Sequence, residues 1–115
     1  MRLQGKVALI TGAARGIGAE IARVFSKEGA SVAIGDVLEP EGRQTEAELK
    51  VAGGDALFVK LDVTSEQDWQ RVVKAVLDRF GRLDVLVNNA GISKRFPLEE
   101  YPVEMWDLMF AVNVK

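Results

Sequence analysis

The residues best suited to chemistry lie in one short stretch, Val7–Gly18, with the sequence VALITGAARGIG. Glycines at positions 12, 16 and 18 follow a buried-strand pattern and precede a helical one. A helix N-terminus offers unpaired N–H groups and the positive end of the helix dipole, and glycine lets a phosphate approach them closely. The pattern therefore predicts a phosphate-binding turn. On spacing alone, a tight strand-to-helix turn without a ligand also fits.

An acidic residue stands where a dinucleotide fold needs one. Asp36 closes the next apolar run, 18 positions after Gly18. A carboxylate there accepts hydrogen bonds from ribose hydroxyls and repels a 2′-phosphate, which favours NAD over NADP. Arg15 in the glycine loop argues mildly the other way, because it could pair with a phosphate. The alternatives are a turn or helix-capping role for Asp36 and a solvated charge for Arg15.

Two further strand ends carry polar residues. Asp62 is predicted to hydrogen-bond an adenine amino group, or else to fix the backbone ahead of Ser65, a predicted N-cap. Asn88 and Asn89 form either a plain turn or a brace between strands. The small pair after them, Ala90-Gly91, leaves room for a flat ring.

The elements that must position these residues alternate strictly between strand and helix. The predicted strands cover 6–11, 31–35 and 56–61 and centre on 85–87, and the predicted helices cover 16–28, 39–52, 65–80 and a last segment from near Pro102 to the end. On the first helix, one face is predicted to carry Ile17, Ile21, Val24 and Phe25. Alternation of this kind predicts a doubly wound α/β fold in one domain, residues 1–115, with a parallel sheet of order 3-2-1-4. The crevice then lies above the carboxyl ends of strands one and four.

Composition excludes several classes of function. The 115 residues contain no cysteine and no histidine, so histidine-based catalytic triads, thiolate metal sites and histidine zinc sites are excluded, and no metal site is predicted. The net charge of −2 does not favour nucleic acid or an anionic membrane as a partner. No apolar run reaches the roughly 18 residues of a membrane span. The lack of cysteine fits a reducing cytoplasm.

Taken together, the motifs resemble those of the short-chain dehydrogenase/reductase family. Its TGxxxGIG loop matches Thr11–Gly18, and its further motifs match Asp36, Asp62-Val63 and the run 88–91 in order and spacing. The resemblance implies a Rossmann-type fold and hydride transfer between a nicotinamide dinucleotide and a small alcohol or ketone. It implies cofactor-binding roles for Gly12, Arg15, Gly16, Ile17, Gly18, Asp36, Asp62, Val63, Asn89, Ala90 and Gly91. It also matches Asn113 to a catalytic asparagine that bends its helix and holds a water.

One family motif is missing from these residues. The catalytic Tyr-x-x-x-Lys pair does not occur, because the single tyrosine, Tyr101, is followed four positions later by Met105. We therefore expect the N-terminal, cofactor-binding part of an oxidoreductase that is inactive by itself. The alternatives are a non-catalytic dinucleotide-binding module and a Rossmann-like protein for another nucleotide. The apolar last segment, and a fourth strand that is uncovered if no fifth strand follows, predict that the chain in isolation associates or aggregates, and we expect a homo-oligomer.

Overall fold

The computed structural model describes residues 3–89 and the short strand at 111–113. Five parallel strands form one sheet in the order β3-β2-β1-β4-β5. They are β1 (Val7–Thr11), β2 (Ser31–Asp36), β3 (Ala56–Lys60), β4 (Val85–Asn88) and β5 (Ala111–Asn113). The predicted order 3-2-1-4 is confirmed. Because β1 is central and wholly buried, its near-continuous apolar sequence is what a strand covered on both faces requires.

Helices cover both faces of this sheet, namely α1 (Gly16–Lys27), α2 (Glu39–Val51) and α3 (Glu66–Phe80). Successive β1 residues contribute to different apolar clusters. Leu9 packs in a cluster with Val72 and Val76 of α3, whereas Ala8 and Ile10 belong to a cluster built with α1 and α2. This division of successive β1 residues between two clusters is the doubly wound arrangement.

The ends of α3 follow from its sequence. Ser65 is the N-cap, and its hydroxyl accepts a hydrogen bond from the Asp68 backbone N–H at 3.1 Å. Gly81 ends the helix with a φ of 81°, in the left-handed region that glycine adopts without strain. The predicted N-cap is confirmed.

The predicted apolar face of α1 is wrong in part. Ile17 and Val24 are 67% and 51% exposed, while the buried residues of the helix are Gly18, Ala19 and Ala22. Ile21 and Phe25 are partly buried against the core. Small side chains line the contact because they let α1 lie close to the sheet.

The last predicted helix is also wrong where the chain is described. Residues 111–113 form β5, which pairs with β4 so that Leu86 lies opposite Ala111 and Asn88 opposite Asn113. When nearly all residues of a segment are apolar, the sequence shows neither the helical nor the strand periodicity, so a buried helix cannot be distinguished from a buried strand. Pairing with β5 also covers the edge of β4 that the sequence suggested would be exposed. The prediction that Asn113 bends a helix is therefore corrected, since its backbone is extended.

Candidate functional site

The carboxyl ends of β1, β2 and β4 meet at one edge of the sheet. Thr11 lies opposite Gly35 on one side and Asn88 on the other. Asp36 is the last residue of β2. The predicted residues from three separate stretches are thus brought together around the loop between β1 and α1.

That loop leaves the N-terminus of α1 open to an anion. Gly12 and Gly16 have φ values of 63° and 64°, which only glycine adopts readily. Arg15 is the N-cap residue, and its guanidinium has no acceptor with which to cap the helix. The first turn of α1 carries no acidic residue, whereas the first turns of α2 and α3 each carry two. No carboxylate in the first turn of α1 therefore competes with a bound anion for the unpaired N–H groups of this helix.

The space around Gly18 differs from the space around Gly16. A Cβ on Gly18 would overlap the Gly12 carbonyl oxygen and lie 2.6 Å from Asn89 Nδ2. A Cβ on Gly16 would meet no atom within 4 Å. Gly18 thus allows α1 to touch the end of β1, while Gly16 borders the open side of the loop. A side chain at Gly18 would therefore obstruct packing, whereas a side chain at Gly16 would occupy the open side of the loop.

Thr11 ties β1 to the end of β4. Its buried hydroxyl donates to Asn88 Oδ1 at 3.0 Å and accepts from the Asn89 backbone N–H at 2.9 Å. The Asn89 side-chain amide donates to the Gly12 carbonyl at 3.4 Å. These bonds fix the start of the glycine loop against the predicted Asn88-Asn89 brace.

Asp36 is bonded to the glycine loop. Its Oδ2 accepts from the Ala14 backbone N–H at 3.0 Å, and its Oδ1 accepts from the Leu38 N–H at 3.1 Å. The bond to Leu38, two residues further on, forms the turn that the sequence offered as one alternative, whereas no side chain caps the N-terminus of α2. A carboxylate offers about four lone-pair positions, and these two bonds leave two for further donors.

Asp62 has the backbone role that the sequence offered as its alternative. Its Oδ1 accepts from both the backbone N–H and the hydroxyl of Thr64, at 2.9 and 2.6 Å. The Thr64 hydroxyl, followed by the Thr64 N–H, holds the pKa of Asp62 below its usual range. The neighbouring Val63 is partly buried, and its carbonyl accepts from the Trp69 indole at 3.0 Å.

Two further residues at this edge, Val37 and Thr45, were not among the predicted site residues. Val37, directly after Asp36, is 52% exposed, so an apolar surface borders the acidic residue. Thr45 of α2 donates its hydroxyl to the Ala14 carbonyl at 2.8 Å. An apolar residue after a strand-ending acid could have identified Val37. No sequence pattern marks Thr45, because its partner lies 31 positions away.

Three of the predicted site residues lie wholly or partly outside the part of the chain that the structure describes. Ala90 and Gly91 lie outside the described residues, and for Asn113 only the backbone is described. Among residues 3–89 and 111–113, no group of three or more acidic side chains is placed to hold a metal ion. No helix in the same part of the chain is long and apolar enough to cross a membrane.

Together, the strand order, the alternating helices and the glycine turn define a Rossmann-type α/β protein. A family model described as short chain dehydrogenase matches residues 6–115. The chain belongs to the short-chain dehydrogenase family.

Two similar members of this family are dehydrogenases that are named for different substrates. The chain is 49% identical to a 2,5-dichloro-2,5-cyclohexadiene-1,4-diol dehydrogenase of Sphingobium indicum, over 97% of this chain and 45% of the relative. It is 46% identical to a sorbitol dehydrogenase of Cereibacter sphaeroides, over 99% of this chain and 43% of the relative. The chain thus spans less than half the length of these curated relatives.

A solved structure agrees with the fold. A 7α-hydroxysteroid dehydrogenase, complexed with NADH and 7-oxo glycochenodeoxycholic acid, is similar with a TM-score of 0.77 and 37% identity. The match covers 93% of this chain and 42% of that chain.

Proposed function

We propose that this chain forms the dinucleotide-binding part of an oxidoreductase that acts on a small alcohol or ketone. The observation that carries the proposal is the open N-terminus of α1 beside a strand-ending carboxylate that is bonded to the same loop. Family membership and the dehydrogenase relatives support it, as does the NADH of the similar steroid dehydrogenase structure.

The roles of individual residues are part of the proposal. The loop would hold the pyrophosphate, through the N–H groups of the first turn and the open side at Gly16. Asp36 would accept from ribose hydroxyls, and Asp62 with Val63 would border the adenine. The remaining proposed contacts are Gly12, Arg15, Ile17, Gly18, Asn89, Ala90 and Gly91, with Asn113 as a catalytic residue. The bound nicotinamide supplies the hydride acceptor or donor.

We propose NAD rather than NADP as this cofactor. The Asp36 carboxylate is held by two backbone N–H groups, and two lone-pair positions remain for ribose hydroxyls. A 2′-phosphate at the same place would bring two negative charges together, which costs affinity. Arg15 is exposed in the loop, and a pairing with phosphate from there would reduce the preference.

Calorimetric titration with NAD⁺ and, separately, NADP⁺ tests this proposal. We expect NAD⁺ to bind at least tenfold more tightly, a difference of about 1.4 kcal/mol. Asp36→Asn removes the charge but keeps one acceptor, and should narrow the preference. Asp55→Asn is the matched control, because Asp55 is exposed, pairs with Arg79 and precedes β3 at the opposite edge. Equal affinities in the wild type would contradict the choice of NAD, and no binding of either would contradict the function.

We also propose a cytoplasmic homo-oligomer. The absence of cysteine supports the cytoplasmic location, and the largely apolar sequence 105–110 supports the assembly. Light scattering at tens of micromolar protein measures the assembly, and a clean monomer would contradict it.

A further inference from the structure

Thr45 is a buried polar residue in the middle of α2. Its side chain is 4% exposed, and its hydroxyl donates to the Ala14 carbonyl at 2.8 Å. A hydroxyl removed from water is tolerated when it is hydrogen-bonded, and here its partner is the glycine loop. The bond joins α2 to the glycine loop that precedes α1.

Ala14 is consequently held at both of its backbone groups. Its N–H donates to Asp36 Oδ2 at 3.0 Å, and its carbonyl accepts from Thr45. Ala14 is only 3% exposed, so water does not readily replace either partner. Only Arg15 separates Ala14 from the first residue of α1. A shift of Ala14 therefore moves both the start of the helix and the hydrogen bond that orients the Asp36 carboxylate.

We propose that Thr45 is a positioning residue that sets cofactor affinity and the preference for NAD by fixing Ala14 and, through it, Asp36. This inference rests on the dinucleotide-binding function proposed above. Thr45 itself need not touch the cofactor. Its hydroxyl holds the loop in the shape that presents the Asp36 carboxylate and the first turn of α1 together.

The next residue provides a control on the same helix. Glu46 is also buried, and its Oε2 accepts from the Phe58 backbone N–H of β3 at 2.6 Å. Glu46→Ala therefore loosens α2 from the sheet edge without removing a bond to the glycine loop. If general loosening of α2 were sufficient, Glu46→Ala and Thr45→Val would have the same effect on binding.

The first test compares three variants by calorimetry with NAD⁺ and NADP⁺. Thr45→Val keeps the size and shape of the side chain but removes the hydroxyl, and we expect about five- to tenfold weaker NAD⁺ binding. We expect the ratio of NAD⁺ to NADP⁺ affinity to fall as well, because the orientation of Asp36 is lost. Thr45→Ser should restore both values. Glu46→Ala should lower the urea midpoint but leave the ratio unchanged.

The second test needs no cofactor. Amide hydrogen exchange of the unliganded chain should show a faster Ala14 N–H in Thr45→Val than in the wild type or Thr45→Ser. If Thr45→Val changes neither the exchange of the Ala14 N–H nor the ratio of NAD⁺ to NADP⁺ affinity, the proposed role of Thr45 is overturned, and the dinucleotide-binding function is not. If the wild type binds neither cofactor, the dinucleotide function fails, and the exchange result still decides whether Thr45 fixes the loop.

Discussion

Replacement of Gly18 by alanine tests the contact on which the site depends. The new Cβ would overlap the Gly12 carbonyl oxygen and lie 2.6 Å from Asn89 Nδ2. The first obstacle is backbone, and it belongs to a loop that the Thr11 hydrogen bonds already fix. The loop therefore has to move away from α1 for alanine to fit.

Two opposing effects decide the magnitude. Alanine in place of glycine favours a helix by about 1 kcal/mol. Overpacking of a tight contact costs about 1–3 kcal/mol, and the upper end applies because a backbone carbonyl yields less than a side chain. We expect a net loss of about 2 kcal/mol in the free energy of unfolding. Affinity for NAD⁺ should fall at least tenfold, about 1.4 kcal/mol, because the loop that would hold the pyrophosphate is displaced.

Urea unfolding and calorimetry measure the two effects separately. Gly42→Ala is the matched control, since its Cβ would overlap the Phe58 ring within α2 and β3, away from the glycine loop. We expect Gly42→Ala to lose stability with little change in NAD⁺ affinity at temperatures where it is folded. A Gly18→Ala variant that is more stable than the wild type and binds equally well would refute the close approach of α1 to Gly12.

Two other hydrogen-bonded positions lead to predictions for stability. Thr11→Val leaves the Asn89 N–H without its acceptor and should cost about 1–3 kcal/mol in urea unfolding, whereas Thr11→Ser should be close to the wild type. Burial raises the pKa of Asp84, but hydrogen bonds from Arg82 and the Val7 N–H outweigh it and hold the pKa below its usual range. Asp84→Asn should therefore cost about 1 kcal/mol near pH 7. Because the folded-state pKa of Asp84 is lowered, its carboxylate stabilises the fold above the unfolded-state pKa of about 3.9, and this stabilisation is lost as the pH falls further. The urea midpoints of the wild type and Asp84→Asn should therefore converge at low pH. A constant difference between them down to about pH 2 would argue against this account.

The regular elements were predictable because local sequence decides them. Each buried strand is an apolar run, and the helices end where glycines such as Gly29 and Gly81 adopt positive φ values. The prediction failed at β5 and on α1 for a shared reason. Side-chain hydrophobicity alone does not reveal whether a segment is covered by a helix, a strand or nothing. At Ile17 and Val24 the close contact of small residues decided which face of α1 is buried.

The meeting of the strand ends at one edge was predictable, but the hydrogen bonds between them were not. The ends of parallel strands share one edge, so a glycine turn and a strand-ending acid must lie near each other. That Asp36 bonds the Ala14 N–H, and that Thr45 bonds the Ala14 carbonyl, depends on contacts 22 and 31 positions apart in sequence. No periodic pattern encodes such bonds, because each joins segments that come together only when the chain has folded.

These connections bear on how cofactor preference could be changed in this fold. Asp36 has two functions under our proposal, since its carboxylate faces the ribose and also holds the glycine loop through Ala14. Removal of the whole carboxylate would therefore weaken binding of either dinucleotide. Asp36→Asn can keep its one acceptor oxygen on the Ala14 N–H, at the expense of the bond to Leu38, and would mainly affect discrimination. Comparison of Asp36→Ala with Asp36→Asn separates these functions. If the two variants bind NAD⁺ and NADP⁺ with the same affinities, Asp36 does not support the loop on which binding depends.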